Sequence, residues 1–254
     1  MTTILVTGGT GTLGRCVTER LRADGHEVRV LSRHSETYPV DLLTGVGLDR
    51  AVAGVDAIVH CATLPKGGAD EEATRRLIEA ARTAGVPHLV YISIVGIERV
   101  PLGYYRTKRR VEQLIEASGL GFTVLRTTQF HDLALDLVRI LAKLPVVLVP
   151  NGVRLQPVAV DEVAERLVEL ALGAPAGYVQ DMGGPEVRTV RELVQAYLRA
   201  SGKRRPVVGV RLAGRFYAAL RDGGLLAPHH AVGRGTFEEF LAERVAAGRG
   251  GRGR

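Results

Sequence analysis

The run Thr7-Gly8-Gly9-Thr10-Gly11-Thr12-Leu13-Gly14 directly follows a short apolar segment, Thr3 to Thr7, and directly precedes a stretch with helical spacing. Gly9, Gly11 and Gly14 satisfy G-x-G-x-x-G, and Gly8, Gly11 and Gly14 satisfy G-x-x-G-x-x-G. Glycines are needed in such a turn because the backbone must bend tightly and approach a bulky anion. The helix behind it offers unpaired N–H groups and the positive end of its dipole. Strand, loop and helix in this order predict a dinucleotide pyrophosphate site built on Gly8, Thr10, Gly11, Thr12, Leu13 and Gly14.

The rest of the first half keeps the same rhythm. Strand signals recur at residues 26–31, 57–60, 89–93 and 122–126, and helical stretches at 13–23, 70–84 and 104–117. Gly25, Gly85 and Gly119 punctuate the helix ends. Strands alternating with helices predict an α/β fold with a doubly wound parallel sheet. A short third strand is expected before Asp41. After about Ile140 the rhythm loosens. A strand-like run at 146–149 is followed by a helix capped by Asp161 and another preceded by Thr189. These predict a small C-terminal α/β lobe over residues 146–245. The tail 246–254, glycine and arginine without core-forming residues, is expected to be disordered.

Composition removes several classes of function. At 46% hydrophobic and 24% charged residues, the 254-residue chain has the balance of a globular protein. Two cysteines, Cys16 and Cys61, are too few for a disulfide framework and read as buried thiols in a reducing compartment. The seven histidines show no metal-binding spacing, so no metal site is expected. No apolar run reaches the length of a membrane span, and the first residues lack the basic start of a signal peptide. A cytoplasmic protein that does not engage membranes is the expectation. The net charge is +7, yet the arginines are scattered, lysine appears only at 66, 108, 143 and 203, and tryptophan is absent. Specific nucleic-acid binding is therefore not expected.

The second strand ends at Leu31-Ser32-Arg33-His34. A site for NAD(H) usually carries an acidic residue there for the ribose 2′-hydroxyl. Ser32 and Arg33 suit a 2′-phosphate instead, because a guanidinium forks onto phosphate oxygens. NADP(H) is thus preferred over NAD(H), with Glu36 close enough to leave NAD(H) possible. Asp41 and Leu42 would border the adenine. Ala62 and Thr63, at the carboxyl end of the next strand, would border the rest of the nucleotide. His60 reads as a packed strand residue.

The glycine run, His60-Cys61-Ala62-Thr63, Tyr91-Ile92-Ser93-Ile94-Val95-Gly96, Tyr104-Tyr105-Arg106-Thr107-Lys108 and Leu125-Arg126-Thr127-Thr128-Gln129-Phe130-His131 resemble the short-chain dehydrogenase/reductase superfamily, in its atypical NmrA-like NAD(P)H-binding branch. The resemblance reaches to about Leu241. It implies a Rossmann fold in which Tyr104 and Lys108 form the Y-x-x-x-K pair. Tyr104 is then the proton donor, with a pKa lowered by the neighbouring ammonium. Lys108 also holds the nicotinamide ribose. The family serine falls nearer Val95 than Ser93, so Ser93, or else Thr127 or Thr128, would have to substitute. Thr127, Thr128, Gln129 and Phe130 are implied on the nicotinamide side, and His131 beside the substrate.

These readings converge on one NAD(P)-binding domain over residues 1–245. The expected function is an NADP(H)-dependent oxidoreductase acting on a carbonyl or quinone-like small molecule, as a monomer or homodimer. Two alternatives stand beside it. One is a non-catalytic NADP(H) redox sensor that binds a regulatory partner. The weaker one is a sugar-nucleotide epimerase or dehydratase.

Overall fold

The structure is a computed structural model that describes residues 1–33, 35, 37–64 and 68–250, the side chains of 245–250 excepted. In chain order its elements are β1 (Thr3–Thr7), α1 (Thr12–Ala23), β2 (Glu27–Leu31), α2 (Leu48–Val52), β3 (Ala57–His60), α3 (Ala69–Thr83), β4 (His88–Ile94), α4 (Gly103–Glu116), β5 (Gly121–Thr127), α5 (His131–Leu141), β6 (Val147–Pro150), β7 (Arg154–Leu155), α6 (Val160–Leu172), β8 (Gly177–Tyr178), β9 (Arg188–Thr189), α7 (Val190–Ala200), β10 (Val207–Val210), α8 (Arg215–Arg221) and α9 (Phe237–Gly250). They form two compact units.

The first unit takes residues 1–98, 102–126 and 160–180. Its six-stranded sheet has the order β2-β1-β3-β4-β5-β8. The pairings of β1 with β2, β1 with β3, β3 with β4 and β5 with β8 are all parallel. Ile4, Leu5 and Val6 of β1 are wholly buried. Each contributes about 1.5–3 kcal/mol by leaving water. Both faces of the sheet are covered, which is why its strands read as continuous apolar runs. Leu5, Ile58, Leu89 and Val124 pack with Leu77, Val111 and Ile115 of α3 and α4. α1 packs on α6, which also lies against β3 and β4. Gly25, Gly85 and Gly119, placed just past α1, α3 and α4, all have positive φ, as expected from sequence. The strand register aligns Thr7, His60 and Tyr91 in one row across β1, β3 and β4. That row closes the carboxyl edge of the sheet.

The second unit takes residues 99–101, 127–159 and 181–254. β6 pairs with β10 in parallel and β7 with β9 antiparallel. α5, α7 and α9 share an apolar core containing Leu135, Val138, Leu193, Val194, Phe237 and Leu241. Thr189 caps α7 in a complete capping box with Glu192.

Four expectations differ from the structure. No strand precedes Asp41; the chain makes only an isolated bridge between Ser32 and Pro39. Asp161 is the second residue of α6 rather than its cap, where a carboxylate still suits the helix dipole. The helix α9 continues through residues 246–250, while 251–254 lie outside the described residues. Residues 160–180, placed by sequence rhythm in the C-terminal lobe, belong with the first unit. Among the described residues no helix is long and apolar enough to cross a membrane.

Candidate functional site

The glycine run turns as β1 hands over to α1. The Gly8 N–H reaches the Leu31 carbonyl at 3.1 Å, and the Gly11 N–H reaches the Gly8 carbonyl at 2.9 Å. Gly8 has φ +65°, and a Cβ there would lie 2.8 Å from the Ala62 backbone. A Cβ on Gly14 would lie 2.3 Å from the Gly8 carbonyl oxygen. Both positions therefore exclude side chains by contact with backbone that cannot retreat. Gly11 caps α1 and supplies no side-chain hydrogen bond to it. The first N–H groups of this helix are thus left for an anion. Thr10 and Thr12 are exposed, whereas Leu13 turns into the core.

A cavity of about 380 Å³ opens beside this turn. Gly8, Thr10, Gly11, Ser32, Arg33, Asp41, Leu42, Ala62 and Thr63 all line it, nine of the positions expected from sequence. Leu31, Val40, Cys61 and Leu64 line it too and were not expected. Arg33 is exposed at its margin. The Asp41 carboxylate accepts the Leu43 N–H at 2.9 Å, a bond within its own turn. Glu36 and His34 lie outside the described residues. Burial pushes the Cys61 thiol up to about 12 despite the nearby Lys108. The side chain is protonated at neutral pH, consistent with an inert thiol.

Behind the cavity runs a buried chain of polar groups. The Ala62 N–H donates to the Thr7 hydroxyl at 3.2 Å, and Thr7 Oγ1 lies 2.7 Å from His60 Nδ1. His60 Nε2 lies 3.2 Å from the Thr74 hydroxyl, which donates to the Asp70 carbonyl at 2.7 Å. The Thr74 proton is spent on that carbonyl, so the His60 ring must donate from Nε2 and accept at Nδ1. Every proton along the chain is thereby assigned. Burial, assisted by the Lys108 charge, lowers the His60 pKa to about 3. The ring is neutral at ordinary pH and serves as a packed strand residue.

Lys108 projects from α4 into the same region and is only 2% exposed. Its ammonium donates to the Tyr91 hydroxyl at 2.9 Å and the Thr63 hydroxyl at 3.0 Å. Asp70 Oδ2 stands 3.6 Å away as the counter-ion. Asp70 is itself 3% exposed and takes the Leu64 N–H on its other oxygen at 2.9 Å. Burial lowers the Lys108 pKa, and Asp70 offsets only part of that lowering. Sequence spacing gave no sign of Tyr91 or Asp70, because their partner is far along the chain.

Tyr104, one turn before Lys108, is 37% exposed. Burial raises its phenol pKa, and the Thr63 side chain pulls it the other way. The expected lowering by the Lys108 ammonium is not what sets this group: the ammonium is spent on Thr63, Tyr91 and Asp70. Val95, where the family serine was expected, is wholly buried. Ser93 is 2% exposed, and its hydroxyl has no hydrogen-bond partner among the described residues.

The segment after β5 belongs to the second unit. The Thr128 hydroxyl donates to the Gln156 carbonyl at 2.5 Å, and the Gln129 amide donates to the Leu225 carbonyl at 3.1 Å. Thr127 is buried and Phe130, half-buried, caps α5. His131 is 2% exposed; its ring meets Phe237 edge-on and lies tilted against Phe240, and Nε2 lies 3.2 Å from the Pro157 carbonyl. These surroundings are those of a core residue at a helix start.

Residues 8–171 match the model of an NAD(P)H-binding family. A (4-alkanoyl-5-oxo-2,5-dihydrofuran-3-yl)methyl phosphate reductase of Streptomyces griseus is 33% identical over 216 residues, which cover 79% of this chain and 74% of that protein. A ceramide reductase of Caulobacter vibrioides is 27% identical over 200 residues; the match covers 70% of this chain and 63% of that one. Among solved structures, an NADPH-dependent quinone oxidoreductase of Escherichia coli complexed with NADPH superposes with a TM-score of 0.78 at 20% identity, over 96% of this chain and 99% of that one. That likeness bears on the fold. The glycine cradle, the uncapped helix start and the sequence match agree, and the chain belongs to the NAD(P)H-binding family.

Proposed function

We propose that this protein is an NADP(H)-dependent reductase of a small molecule bearing a carbonyl or quinone-like group. The observation that carries the reading is the cavity, which the glycine turn, Arg33 and Thr63 all line, with the Thr63 hydroxyl accepting from the buried Lys108 ammonium one helical turn after Tyr104. The residues present fit a dinucleotide. The cradle admits no Cβ at Gly8 or Gly14, and the start of α1 offers free N–H groups to a pyrophosphate. Arg33 would take a 2′-phosphate in bidentate fashion. A bound reduced nicotinamide supplies the hydride. Tyr104, kept protonated at neutral pH by its burial, gives a proton to the substrate oxygen. Lys108 orders the groups behind it. The reductase names of two relatives support the reaction class.

Calorimetric titration with NADPH, NADP⁺ and NADH in parallel tests the cofactor, and turnover against carbonyls and quinones tests the reaction. Binding of both NADP forms with weaker NADH, and turnover lost about 100-fold or more in Tyr104→Phe at unchanged cofactor affinity, is the expected outcome. Unchanged turnover in Tyr104→Phe removes the proton donor from the mechanism.

A second reading rests on one observation. Val95 fills the place of the family serine, and the Ser93 hydroxyl is enclosed without a partner among the described residues. A redox sensor needs no such donor. It needs different affinities for oxidised and reduced cofactor. A large preference for one NADP redox state, with no turnover of any acceptor, would favour it.

A further inference from the structure

We propose that one end of the β6–β10 pair in the second unit docks on an anionic lipid bilayer, its exposed aliphatic side chains entering the interface and the cations around them meeting the headgroups.

β6 and β10 run in parallel, so the segments that lead into them lie side by side. The Val147 N–H donates to the Pro206 carbonyl at 2.9 Å, and the Arg205 guanidinium donates to the Leu144 carbonyl at 2.7 Å. Val147 and Val149 of β6 are buried, whereas Val146 and Leu148 alternate with them and are exposed. Leu148 is paired in register with Val208, and the two are 44% and 46% exposed. Leu144, in the lead-in, is exposed as well. These large aliphatic side chains stand in water at one end of a two-stranded sheet whose other face is core.

Cations gather at the same end. Arg199, Lys203, Arg204 and Arg205 line one groove of about 660 Å³ that also takes in Pro206 and Val207. Lys143 stands beside it, because Arg205 is bonded to the carbonyls of Ala142 and Leu144 on either side. Residues 137–149 and 193–210 contain no Asp or Glu. Among the described residues none of these cations has a carboxylate partner. Nor does α7 need them as caps, since the N–H groups of Ser201, Gly202 and Lys203 already take its last carbonyls.

The mixture selects the partner. A bilayer surface offers negative headgroups and an apolar interior close together, and aliphatic side chains rimmed by Lys and Arg answer both. Nucleic acid offers phosphates but nothing for Leu148 and Val208, and no aromatic ring stands among the exposed apolar residues for a base to stack on. A second copy meeting this face across a two-fold axis would set cation against cation. The proposal departs from the expectation that the protein does not engage membranes. That expectation came from the lack of a spanning run, and a surface contact needs none.

Sedimentation of the full chain with vesicles of phosphatidylcholine, with and without an equal part of phosphatidylglycerol, tests this. The expected result is binding to the mixed vesicles that weakens with added salt, and far less binding to phosphatidylcholine alone. Lys203→Gln/Arg204→Gln should weaken it about 25-fold, about fivefold for each cation. Arg20→Gln/Arg22→Gln, which removes the same charge from the last turn of α1, should not. Leu148→Thr/Val208→Thr should weaken it about fivefold at unchanged charge. Denaturant midpoints confirm that each variant keeps the fold. No binding to the mixed vesicles overturns the proposal. Equal losses in the two charge variants overturn it too, because net charge alone would then account for binding. Unchanged vesicle binding in Leu148→Thr/Val208→Thr, with tight binding of an oligonucleotide, would assign the cations to nucleic acid instead. A dimer in solution that Leu148→Thr/Val208→Thr dissociates would assign the face to a second copy.

Discussion

The two units bury polar side chains of different kinds. In the first, Asp70, Tyr91, Lys108 and His60, all ionisable, meet at the carboxyl edge of the sheet. Glu112, also buried there, is matched by Arg109 and Arg126. In the second unit the buried hub is an amide. Gln156 is wholly enclosed, donates to the Gly184 and Ala227 carbonyls and accepts the Ala227 N–H at 2.8 Å. Its backbone N–H goes to Gln129. A neutral amide needs only its hydrogen bonds to be buried safely, whereas a charge needs a counter-charge as well. The second unit uses its amide to stitch irregular segments together. The first retains charge where it is costly, and a retained charge beside a cavity marks a place for chemistry.

Removing the cation should have the largest effect. Lys108→Met leaves the Asp70 carboxylate buried without a counter-ion and should lower the unfolding free energy by about 3–5 kcal/mol, read from denaturant midpoints. Adding Asp70→Asn to the same chain should recover most of that loss, since the two residues form one interacting pair. A loss below about 1 kcal/mol in Lys108→Met would mean that the charge is not held as a pair, and the contrast between the units would fail.

Gln156→Leu probes the other side. The Gly184 and Ala227 carbonyls and the Ala227 N–H lose their side-chain partner, and the cost should be about 2–3 kcal/mol. Because no charge is involved, that cost should be the same at pH 5 and pH 8. A pH-dependent cost would show that the amide hub is coupled to a titrating group.

The same contrast explains what could be read from the sequence. The sheet of the first unit was legible because its strands are buried on both faces and its helices end in glycine. The glycine cradle was legible because close backbone contacts at Gly8 and Gly14 tolerate nothing larger. The capped start of α7 showed in Thr189. The two-residue strands β7 and β9 were invisible, since Arg154-Leu155 and Arg188-Thr189 are too short to carry a period. The supposed strand before Asp41 is only an isolated bridge at Pro39, and the turn held by the Asp41 carboxylate comes after it. Tyr91 looked like one more apolar strand residue. Only the fold brings its hydroxyl to Lys108, 17 positions away. The serine position was legible as a departure, and Val95 remains one.

Acidification should weaken the protein through His60. Its unfolded value is near 6.5, and burial lowers the folded value to about 3. Between those limits the unfolded chain binds the extra proton. Stability is therefore fully present above pH 6.5 and falls as pH drops toward 3, by up to about 1.4 kcal/mol per pH unit. Denaturant midpoints between pH 7 and 4.5 check this. His60→Asn should flatten the slope, whereas Gln156→Leu should lower the whole curve in parallel. An unchanged slope in His60→Asn would place the acid sensitivity elsewhere.

The smallest expected effect concerns a charge that is not buried at all. Arg33 stands exposed at the cavity margin, and no ion pair is recorded for it among the described residues. Arg33→Ala should leave unfolding within about 0.5 kcal/mol, as surface substitutions usually do. Its consequence should appear only with ligand. A guanidinium facing a 2′-phosphate makes charge-assisted bonds that NADH cannot receive, so NADPH affinity should fall about tenfold more than NADH affinity. Calorimetry with both cofactors reads the ratio directly. Equal losses would assign the preference away from Arg33, and a loss of stability would give this exposed arginine a structural role that its surroundings do not explain.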